Sequence, residues 1–152
     1  MLENNKLIAE FLGWENLKET CLNVDEDTFI IDSNLVADKS YFNLELEGGI
    51  SVCSMYAGYL KFSSDWNWLM LVVNKIENLS LETLVLKFGS HEDEFTNATF
   101  LVYISSIETK IDIFGDMKRE KDFIVVDDSN DRIRNTHEAC VEFIKWYNEN
   151  GR

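Results

Sequence analysis

Between Phe42 and Met55 the chain carries the pattern with the fewest folded solutions. Phe42, Leu44 and Leu46 alternate with Asn43, Glu45 and Glu47, a Gly48-Gly49 pair follows, and residues 50–55 return to strand-like composition. A period of two marks a half-buried strand. Paired glycines accept positive φ at little cost and so supply the turn of a hairpin. The segment therefore predicts two antiparallel strands. One face of such a sheet must be covered by something else in the chain.

Three segments have the helical period needed for that cover. Residues 4–14 put Leu7, Ile8, Phe11 and Leu12 on one stripe, stopped by Gly13. Residues 65–79 make the strongest helix. Ser63 or Ser64 is placed to cap it, and Asp65 suits the positive end of its dipole. Trp66, Leu69, Met70, Val73 and Ile76 form its stripe, and Trp68, Leu71 and Val72 widen the apolar arc. A helix this apolar is deeply buried or carries an interface. Residues 136–148 make the third, with Asn135 as N-cap, Glu138 completing a capping-box pair, and Cys140, Val141, Ile144 and Tyr147 as the buried stripe.

Further strands are expected at 28–31, 84–88, 99–105, 110–114 and 123–126, with 56–62 continuing extended. Strands this close in sequence pair antiparallel, so the class is α+β with helices packed on a mainly antiparallel sheet. The 152 residues show no internal repeat or linker and are expected to form a single domain, 1–152. There is no proline, where roughly seven would be usual. That excludes polyproline segments and leaves the turns to glycine, asparagine and acidic residues.

The 28 acidic and 14 basic residues leave a net charge of −14. Such a field repels nucleic-acid phosphates and anionic lipid, and the densest basic stretch, Lys118-Arg119-Glu120-Lys121, is short and interrupted. Solubility is the plain consequence, and complementarity to a basic protein is the sharper one. The three cysteines, Cys21, Cys53 and Cys140, are odd in number and lack CxxC spacing, which argues against a disulfide framework or a cysteine-rich zinc site. The opening residues lack an apolar leader and no window reaches eighteen apolar residues, so a cytoplasmic protein is expected.

Catalytic and metal-binding patterns are weak. His137 and Cys140 lie at i and i+3 on the last helix, but a zinc site needs a third ligand and a cysteine nucleophile needs a supporting signature. A buried cysteine beside a first-turn histidine accounts for both. Asp127, Ser129, Asp131 and Glu138 fall at positions one, three, five and twelve of a calcium-type loop, yet Arg132 stands where that loop needs glycine. An acidic strand-to-helix loop explains them as well. Glu92-Asp93-Glu94 followed by Glu108-Thr109-Lys110 has the acid and E-x-K order of metal-dependent nucleases, a chance-prone triplet whose acidic surroundings oppose DNA. No catalytic residue, metal or cofactor is expected.

The aromatic residues are the remaining signal. Trp66 and Trp68, two apart on a helix, point about 200° apart, so only one can pack on a given surface. Trp146 and Tyr147 raise the same question on the last helix. Aromatic anchors are frequent at interfaces, which makes these four the candidate interface residues.

Three stretches are also familiar together: Asn5-Lys6-Leu7-Ile8-Ala9-Glu10-Phe11-Leu12-Gly13-Trp14, the run from Phe62-Ser63-Ser64-Asp65-Trp66-Asn67-Trp68-Leu69-Met70 on to Glu77, and Val141-Glu142-Phe143-Ile144-Lys145-Trp146-Tyr147-Asn148-Glu149-Asn150. In them the chain resembles the phage ABA-sandwich domain family of small phage and mobile-element proteins. The resemblance covers both ends and the middle helix. Its relatives tend to read W-L-M-P-V-V, and this chain has Leu71 at the proline position. The resemblance implies a three-layer α/β/α sandwich and a phage or prophage origin. It brings no activity and no catalytic residues. Without proline, the N–H of Leu71 is free to join the helix ladder, and an unkinked helix is expected there.

The expected function is thus a non-enzymatic phage or prophage accessory protein that binds another protein, such as a basic host defence component, or itself. A small metal-assisted hydrolase is the alternative from another class, and it requires a thermal shift with calcium, magnesium or manganese. An acidic immunity protein for a co-encoded toxin is the third, and a toxin gene next door would mark it.

Overall fold

A computed structural model of the chain describes residues 1–21, 24, 26–36, 43–79, 99–104, 108–115, 118–126 and 131–150. These contain four α-helices and two three-stranded antiparallel sheets, so the class is α+β. The expected strand at 84–88 lies outside the described residues. The chain divides into two compact units, Met1–Phe62 and Ser63–Arg152.

The first unit opens with helix α1, Leu2–Leu12. Gly13 ends it in the left-handed region at φ 82°, donating to Glu10 O, while Trp14 N–H reaches Ala9 O. Glycine is favoured there because a Cβ strains that conformation. The buried face of α1 comprises Asn5, Ile8, Ala9 and Phe11. Helix α2, Leu17–Thr20, is capped by Asn16, whose Oδ1 accepts from Lys18 N–H at 3.0 Å. The Asn16 Nδ2 donates to Asp27 at 3.0 Å, and that bond, with Lys6 at 3.4 Å, holds the Asp27 carboxyl below its usual range.

Strands β1, Thr28–Ile30, β2, Asn43–Leu46, and β3, Ile50–Tyr56, form a sheet in the order β1-β3-β2. The expected hairpin is present, with Leu44 opposite Val52 and Leu46 opposite Ile50. Gly48 and Gly49 both take positive φ, 91° and 77°. The segment after β3 does not stay extended as its sequence suggests. Ala57–Tyr59 winds into a 3-10 turn, and Asn5 Nδ2 donates to the carbonyls of both Ala57 and Leu60, at 2.9 and 3.0 Å. Leu17, Phe29, Met55, Leu60 and Phe62 are buried here, with the Phe62 ring 5.5 Å from Trp14.

The second unit opens with helix α3, Trp66–Glu77, which runs without a break through Leu71. Its N-cap is Asp65 rather than a serine, because the Asp65 carboxylate accepts from Asn67 N–H at 2.8 Å. Strands β4, Thr99–Ile104, β5, Glu108–Gly115, and β6, Lys118–Val126, form the second sheet in chain order. Helix α4, Arg132–Asn150, starts earlier than its sequence suggests. Asp131 accepts from Arg134 N–H at 3.2 Å and so takes the capping role, which leaves Asn135 buried inside the first turns.

Candidate interaction surface

The register of the second sheet assigns its two faces. Val102, Ile111 and Phe123 are directly opposite one another, as are Ile104, Thr109 and Val125. Residues paired in this way share a face. Helix α4 covers that face. Phe143 packs edge-on against Phe100 at 5.5 Å and against Phe123 at 5.6 Å. The Thr109 hydroxyl lies 2.8 Å from that of Thr136.

The other face carries a second cross-strand row, Tyr103 opposite Lys110 opposite Ile124. Tyr103 is 59% exposed and Ile124 51% exposed. Asp112 and Asp122, opposite each other, share this face, as does Glu108 by alternation along β5. Lys110 Nζ lies 3.3 Å from Asp112 Oδ2, which neutralises the lysine within the row. The central strand of this face is largely buried at Lys110 and Asp112, and exposure among the described residues is confined to Tyr103, Asp122 and Ile124 on the flanking strands.

The residues singled out from sequence are dispersed. On α3, Trp66 and Met70 lie one turn apart and are partly exposed at 38% and 36%, whereas Trp68 is 1% exposed. The buried stripe is Trp68, Leu69, Val72, Val73 and Ile76, so the expected stripe is corrected at Trp66 and Met70. Trp68 belongs to the core and is removed from the candidate interface. On α4, Trp146 is half-buried, 5.6 Å from Phe123 and beneath the Lys121 ammonium at 5.5 Å. Tyr147 stacks on Phe143 at 6.0 Å. Both are engaged within the unit.

The chemical candidates are also accounted for. Cys140 is fully buried, and desolvation pushes its thiol up to about 12, so it stays protonated at neutral pH. His137 is buried, desolvation lowers its pKa, and its Nε2 has no hydrogen-bond partner among the described residues. Asp131 caps α4 and Glu138 pairs with Arg134 at 3.0 Å. Asp127, Ser129 and Glu92-Asp93-Glu94 lie outside the described residues. Within Glu108-Thr109-Lys110 the side chains divide between the two faces of β5. Among the described residues no group of three His, Cys, Asp or Glu is placed to hold a metal. No described helix is long and apolar enough to cross a membrane.

Tyr103 and Ile124 were missed in the sequence. Alternation along 99–105 and 123–126 would have placed each on a sheet face. Only the cross-strand register shows that they lie in one row, on the face opposite α4.

No family model matches this chain, and no curated protein or solved structure matches it significantly.

Proposed function

We propose that this chain is a non-enzymatic accessory protein of phage or prophage origin that works in the bacterial cytoplasm by binding another protein. The observation that carries the reading is the net charge of −14. Long-range charge of one sign accelerates and selects association with a partner of the other sign. A basic host defence protein or nuclease is one such partner, because an acidic protein can occupy a surface built for nucleic acid. The protonated, buried state of Cys140 supports a binding role over nucleophilic chemistry.

The three-layer sandwich of the phage ABA-sandwich family is part of the same proposal. Helix α4 is one layer and the β4-β5-β6 sheet the second, and the proposal adds a third on the far side of the sheet. The test is recovery of tagged chain from bacterial lysate at low and at moderate salt. A partner held at low salt and released at moderate salt is expected, since screening weakens charge attraction between exposed groups. Recovery of the chain alone at both salts would overturn the reading.

A further inference from the structure

We draw no further inference here: the strongest candidate, the aliphatic face of the β2-β3 hairpin made by Leu44, Leu46, Ile50 and Val52, carries nothing, because of these four only Ile50 is exposed and nothing in the structure shows what covers the face.

Discussion

The hydroxyls of Thr109 on β5 and Thr136 on α4 lie 2.8 Å apart, and Thr109 is the donor, because Thr136 gives its own proton to the carbonyl of Arg132 at 2.8 Å. Both threonines are fully buried. This short chain of hydrogen bonds ties the first turns of α4 to the middle strand of the sheet. Thr136→Val should leave the Thr109 hydroxyl buried without an acceptor and cost about 1–3 kcal/mol. The double substitution with Thr109→Val should cost less than the two single losses summed. Urea unfolding of the three variants measures the coupling.

The turn between β2 and β3 offers a backbone test free of packing effects. A Cβ built on Gly48 or Gly49 meets nothing within 4 Å, yet both residues have positive φ. Gly48→Ala should therefore destabilise by roughly 1–2 kcal/mol through backbone strain alone, whereas Gly48→Asn should cost less. Thermal unfolding of the two variants separates these outcomes.

His137 makes stability depend on pH in one direction. Burial lowers its pKa below the ordinary 6.5, so the unfolded chain takes up the proton first as the pH falls. Its contribution to stability is complete above 6.5 and declines below it, through the lowered folded value. In urea unfolding at about pH 7.5, 6 and 5, the parent should lose stability faster than His137→Leu, with the difference confined to that window. Parallel slopes would show that His137 does not titrate between the two states.

The thiols should differ in reactivity. Cys21 and Cys53 are part-exposed, while Cys140 is fully buried with its thiol at about 12. Brief iodoacetamide treatment of native protein near pH 8 should modify the first two and spare Cys140, as read by peptide mass. In denaturant all three should react.

Much of the local architecture was legible in the residues themselves. The Gly48-Gly49 hairpin, the Gly13 stop and the strand regions within 99–126 rest on local patterns and are found, although β5 and β6 begin earlier than expected, at Glu108 and Lys118. What failed to show depended on contacts distant in sequence. The buried stripe of α3 could not be chosen because the helix is apolar nearly all round. Packing within the unit selects Trp68 and Val72 over Trp66 and Met70. The 3-10 turn at Ala57–Tyr59 depends on Asn5, more than fifty residues earlier, which draws two carbonyls to one amide. The α4 cap was misread because Asn135 and Glu138 match a capping box. Asp131 takes that role instead and sends Asn135, Thr136 and His137 into the interior, a polar face that apolar periodicity does not reveal. For the candidate site, composition announced the acidic charge, but only strand register brought Tyr103 and Ile124 together.

One bond in the second unit has a bearing beyond the native state. The backbone N–H of Val102, on the strand at one end of the β4-β5-β6 order, donates to Glu77 Oε1 of α3 at 3.3 Å. An outer strand with free amides is a template onto which another chain can add, and growth of that kind ends in fibrils. Glu77 occupies one such amide and brings a negative charge to the edge. The last turn of α3 thereby sets a carboxylate against the β4 backbone, and charge at a strand edge disfavours such addition. A strand whose amide is already engaged has less to offer a neighbouring molecule.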